Sequence, residues 1–239
     1  MKGALIARIV DRARLLRLSA IALTGRRYWV VAFLPVIWPA FWLLMWVLRM
    51  RTEDFSSGEV LPFLFGLPLA VLGIGLGIQV IAGEIGKRTI EIAYTVPGGA
   101  VRLWTYKLAA AALLVLAAEI VTAAFVYVTM VAFPLEILLG AYIASLFYVA
   151  LSMWLAAQFR GEVAGAMASV ALLALGAVLA ETRVSPFFNP VLFADSSTYS
   201  PAQVVAWTVQ SRIGYVLATA AFVAMAFSRA EQREKILQG

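Results

Sequence analysis

Six long apolar runs take up most of this chain, at residues 28–48, 60–82, 108–133, 136–157, 163–180 and 203–227. A bilayer core about 30 Å thick takes about 20 helical residues to cross. Inside it, backbone polar groups are satisfied only within a helix or a closed barrel. Runs of this length satisfy their backbone groups within each segment as helices, so an all-α polytopic membrane protein with six transmembrane helices is expected. Composition agrees: hydrophobic residues make up 63% of the chain and charged residues 13%, about half the charged share of a soluble domain. Prolines 35, 39, 62, 68 and 134 lie in or beside the runs, where membrane helices tolerate them.

Basic residues set the expected orientation. With the N-terminus inside, fifteen Lys and Arg fall on cytoplasmic segments and four (Arg49, Arg51, Arg183 and Arg212) fall outside or toward the outer face. This bias places both termini in the cytoplasm. The expected organisation is a cytoplasmic N-terminus over 1–27, a six-span unit over 28–228 with an inner loop at 83–107 and an outer loop at 181–202, and a cytoplasmic tail at 229–239. The net charge of +6 then reports a membrane face that meets anionic lipid, and no nucleic-acid partner is needed to explain it. A direct check is single-cysteine labelling on intact cells. Ser57→Cys should react with an impermeant reagent and Lys87→Cys should not; the opposite pattern would invert the topology.

Before the first run, Leu5, Ile6, Ile9, Val10, Ala13 and Leu16 share one helical side, opposite Arg8, Asp11, Arg12 and Arg14. That pattern fits an amphipathic helix lying in the inner interface, although Leu15 and Leu18 fall on its polar side. The chain has no cysteine and forms no disulfide.

The inner loop reads GEIGKRTIEIAYTVPGGAVRLWTYK from Gly83 to Lys107. Its start resembles a phosphate-binding loop only superficially. Gly-x-x-x-x-Gly-Lys-Ser/Thr would need glycine where Ile81 stands and a hydroxyl where Arg88 stands. Ile85, Ile90, Ile92, Ala93 and Val96 instead interleave with Glu84, Lys87, Arg88 and Glu91, ahead of Pro97-Gly98-Gly99, a strong helix stop. This predicts a short surface helix. Two occupants of its apolar side stay open at this level: lipid headgroups, or a groove on a partner protein.

The run Glu84, Thr89-Ile90-Glu91, Pro97 and Lys107 resembles the cytoplasmic signature of the permease subunits of type-2 ATP-binding-cassette exporters. That family carries a glutamate before Gly-Thr, then Leu-Glu-Leu, a proline six residues after that second glutamate and a lysine ten residues further on. Thr89, Glu91, Pro97 and Lys107 keep this spacing; Arg88 stands where the family has glycine, and Gly98 to Val101 replace its polar residues. The resemblance implies a coupling helix carrying Glu84, Lys87, Arg88, Thr89, Glu91, Thr95 and Pro97, which would receive the movement of a separate ATPase subunit. ATP and magnesium would sit on that partner, and this chain would bind no cofactor. It also implies a second permease half, a pathway formed by the dimer in a prokaryotic inner membrane, and an outer gate in 181–202 that includes Phe187 and Phe188. Six spans use most of the 239 residues, which agrees with an ATPase on another chain.

Glu119 lies near the middle of the third run with Thr122, Val126 and Thr129 on nearly the same helical side. A charge there costs about 3 kcal/mol or more, so the residue is neutral, paired or facing water. It either lines a polar route or bonds a neighbouring helix. Gly73-xxx-Gly77 and Gly161-xxx-Gly165-xxx-Ser169 allow close helix approach, within one chain or between two. An intramembrane enzyme has little to work with: there is no His or Cys, and Asp11, Asp54 and Asp195 all lie outside the runs, which removes the usual Ser–His, Cys–His and zinc arrangements and an intramembrane aspartyl pair. A non-transporting membrane anchor or sensor subunit stays open as a second class.

Overall fold

The computed structural model describes residues 2–51, 53–86, 99–179, 182, 185–194 and 199–231. The described residues form helices and connecting turns, with no strand among them. α1 covers Lys2–Thr24. The first apolar run enters as a 3-10 helix, Tyr28–Val36, and continues as α2, Ile37–Val47. A capped turn at Ser57–Glu59 leads into a π-helical stretch, Val60–Gly66, and then α3, Leu67–Gly86. α4 is Gly99–Thr129, α5 is Glu136–Phe159, α6 is Glu162–Val178 and α7 is Pro201–Glu231. Both irregular stretches contain a proline, Pro35 and Pro62, and Pro68 follows the second; proline lacks an N–H and crowds the preceding turn.

Five helical segments are long and apolar enough to cross a membrane: Tyr28–Val47, Ser57–Glu84, Gly99–Thr129, Glu136–Phe159 and Pro201–Arg229. The fifth predicted run is helical too, but at 17 residues it is only about 25 Å long and falls short of that set.

α5 is the central helix, packed by α3, α4, α6 and α7. Its composition suits that place, because Ala144, Ser145, Val149, Ala150, Ser152, Ala156 and Ala157 are small or slender and all buried. Glycine sets how closely α3 meets it. A Cβ on Gly73 would lie 2.8 Å from the Ser145 carbonyl, and one on Gly77 would enter the Val149 carbonyl and the Ser152 hydroxyl. On α6, Gly165, Ser169, Leu173 and Gly176 face inward, and a Cβ on Gly165 would lie 2.6 Å from the Ala156 backbone. The glycine pair Gly73-xxx-Gly77 and Gly165 therefore serve contacts inside this chain. Gly161 makes no comparable approach.

Two boundaries correct the sequence reading. The loop predicted over 83–107 is helical at both ends, because α3 runs to Gly86 and α4 begins at Gly99. Val80, Ile81, Ala100 and Trp104 are buried together with Ala20 and Leu23 of α1, so side-chain packing extends both helices past their apolar spans. From Val10 onward, the α1 side chains that are buried are Ser19, Ala20 and Leu23, whereas Val10 and Ala13 of the predicted apolar side are uncovered by protein. The Ser200-Pro201 start of α7 is as expected: the Ser200 hydroxyl accepts from the Gln203 N–H at 3.3 Å, and Gln203 Oε1 accepts from the Ser200 N–H at 3.0 Å.

Candidate functional site

The predicted site residues occupy three separate places. At the end where α3 leaves the bundle and α4 enters it, the Lys107 ammonium pairs with the Glu84 carboxylate. The lysine side chain is 3% exposed and the glutamate 16%. Lys107 sits two turns inside α4 and Glu84 in the last turn of α3, so the pair joins the two helices just before the chain leaves them. Burial makes this contact matter, since an ammonium taken out of water is costly unless paired. Lys87, Arg88, Thr89, Glu91, Thr95 and Pro97 lie outside the described residues. Nearby, Gln79 of α3 donates to Glu162 at the start of α6, at 3.2 Å.

Glu119 lies twelve residues further along α4, roughly 18 Å from Lys107. It is 2% exposed, and its Oε1 has no hydrogen-bond partner among the described residues. Thr122 is fully buried beside it, but the Thr122 hydroxyl donates to the Ala118 carbonyl of its own helix at 2.8 Å. The structure thus brings the two residues onto one buried side without bonding them to each other through that proton. Tyr142 of α5 reaches the same part of α4 and donates to the Ala112 carbonyl at 3.3 Å. Thr129 is exposed at the helix end. A buried carboxyl oxygen left unpaired is uncommon in a folded interior, which keeps Glu119 a candidate functional group.

Phe187 and Phe188 are both buried, in a segment wedged into the far end of the bundle. Their rings face different neighbours. Phe187 stacks on Tyr148 of α5 with centroids 5.8 Å apart, and Phe188 stacks on Phe193 at 5.4 Å. Gly66 leaves the room: a Cβ there would lie 2.5 Å from the Phe187 ring. Three hydrogen bonds tie the wedge to three parts of the bundle. Ser185 donates to the Gly176 carbonyl of α6 at 3.1 Å, Asn189 donates to the Gly58 carbonyl at 2.9 Å, and Arg212 of α7 donates to the Phe188 carbonyl at 3.2 Å.

Arg212, toward the outer face, turns back onto the bundle. Its guanidinium lies against Gly140 of α5, where any side chain would collide with it, and its Nη1 is buried without a partner among the described residues. Sequence reasoning missed Ser185 and Asn189. Their one local signal is that each precedes a proline, a turn-forming pair; what they bond to is 9 and 131 residues away in the chain.

Among the described residues no group of His, Cys, Asp and Glu is arranged to hold a metal ion. Compared with known protein families, with curated proteins and with solved structures, the chain has no match.

Proposed function

We propose that this chain is the permease subunit of an ATP-binding-cassette exporter, forming the translocation pathway as a dimer and driven by a separate ATPase. The observation that carries the reading is the Glu84–Lys107 pair. A segment that passes a mechanical push from a soluble partner to a membrane domain needs stems that move together. Here the two helices flanking 87–98 continue past their apolar spans and are joined by a buried ion pair at the base of that segment. The segment itself holds the charges and the proline of the resemblance, Lys87, Arg88, Glu91 and Pro97.

A six-span arrangement with both termini in the cytoplasm completes the proposal. In its support, the first residue of α6, Glu162, meets Gln79 near one end of α3, while Gly176, near its last, meets Ser185, whose neighbour Asn189 reaches Gly58 ahead of the other end. The two ends of α6 thus lie toward opposite ends of α3, which supports counting this short helix as a span. The buried wedge bearing Phe187 and Phe188 closes the opposite end of the proposed pathway.

The test uses Arg88→Glu combined with Glu91→Lys, which reverses charges at the proposed contact and leaves the Glu84–Lys107 pair intact. With the candidate ATPase co-expressed, the wild-type permease should retain it through purification. The double variant should insert normally and lose roughly tenfold or more in retained ATPase, because reversed charges at a buried contact cost several kcal/mol. Copurification and substrate-dependent transport both at wild-type levels would sink the coupling assignment.

A further inference from the structure

An open apolar groove of about 750 Å³ runs between the first apolar segment and α3. Its walls include Leu23 and Thr24 from the end of α1, Leu34 and Trp38 from the first segment, and Val71 and Gly75 from α3. The polar groups in the wall are already used: Trp38 donates to the Phe63 carbonyl at 3.0 Å, and Thr24 donates to the Ala20 carbonyl at 2.9 Å. The groove therefore offers an occupant hydrocarbon contact alone. Along α3 it extends from Leu67 to Leu76, roughly 14 Å of helix. That is about half of a 30 Å bilayer core, the depth of one leaflet.

Its polar end has a defined charge. The chain leaves the groove at Thr24, turns through Gly25 at φ 85°, presents Arg26 and Arg27, and re-enters the wall at Val31. Both arginines are exposed, and among the described residues neither forms an ion pair. Guanidinium groups bind phosphate oxygens through paired hydrogen bonds. An apolar trench one leaflet deep that opens beside two exposed arginines complements a molecule with acyl chains and an anionic headgroup. From this we infer that the groove is a binding site for an anionic phospholipid, with an acyl chain against Trp38 and Gly75 and the headgroup on Arg26 and Arg27. A free phosphate would have no use for the trench, and a neutral lipid would have none for the arginines.

The structure supplies both a probe and a plug. Trp38 lines the groove, and Gly75 has no heavy atom within 4 Å of where a Cβ would stand, so a larger side chain there fills the trench without disturbing the bundle. The full chain is reconstituted in vesicles doped with phosphatidylglycerol or phosphatidylcholine, each with brominated acyl chains. Quenching of Trp38 is read as the difference between wild type and Trp38→Phe. Brominated phosphatidylglycerol should reach half-quenching at a roughly fivefold lower mole fraction than phosphatidylcholine. Arg26→Gln with Arg27→Gln should bring the two lipids together, and Gly75→Leu should reduce quenching by both. As a second measurement, independent of Trp38→Phe folding, native mass spectrometry of the detergent-purified chain should retain phosphatidylglycerol on wild type and lose it on the double arginine variant. Equal quenching by the two lipids in wild type would overturn the site. So would an anionic preference that Gly75→Leu leaves unchanged, since the lipid would then be bound elsewhere.

Discussion

Gly77→Val is expected to dismantle the contact between α3 and the central helix, whereas Gly75→Val, two residues away, is expected to leave it intact. A valine at Gly77 would drive its Cβ into the Val149 carbonyl and the Ser152 hydroxyl. One of the colliding groups is backbone, so no rotamer change relieves it and the helices must separate. Overpacking of this kind costs about 3 kcal/mol, and here it also forfeits the close packing that holds membrane helices together. In detergent, the fluorescence-monitored melting temperature of Gly77→Val should fall by roughly 6–12 °C. At Gly75 a Cβ meets nothing within 4 Å, and that variant should melt within about 2 °C of wild type. Equal melting of the two variants would mean that α3 and α5 do not meet as described.

Lys107→Met is expected to destabilise the chain by about 3 kcal/mol, because it removes the positive partner of a carboxylate that is itself mostly buried. Part of the loss should be recovered when Glu84→Leu is added, since the carboxylate that Lys107→Met leaves buried without its ammonium is then gone too. A double-mutant cycle on melting and on monodispersity after purification measures this coupling. Simple additivity of the two single losses would show that the ammonium and the carboxylate do not depend on each other. The cycle also separates fold from function. A double variant that is stable yet no longer retains an ATPase would place the pair in the proposed coupling as well as in the stem.

Much of the fold was legible because hydropathy is a local property. Five of the six apolar runs overlap the long apolar helices, and the remaining one, the fifth, is a helix of 17 residues. The errors lie where packing overrides hydropathy. The third run was expected to start at residue 108, yet its helix starts at Gly99 because Ala100 and Trp104 are buried against α1 and α3. The same local signal picked out Glu119 as an ionisable residue in an apolar interior. It carried nothing about the unpaired Oε1, which depends on what the neighbouring helices bring.

By itself the sequence determined the class of the molecule: an all-helical chain whose long apolar segments suit a bilayer, punctuated by a charged stretch between the second and third. Those properties follow from composition and spacing along the chain, and no distant contact alters them. Tertiary structure decided the rest. It made α5 central and turned Gly73 and Gly77 of α3 toward it within one chain. It joined Glu84 to Lys107 across 23 residues, folded Arg212 against Gly140, and locked Ser185 and Asn189 to carbonyls on other elements. Each of these is a pairing between groups far apart in the chain. A residue's own chemistry states what it needs, a counter-charge or an acceptor or room for a backbone, and only the packed helices settle which residue supplies it.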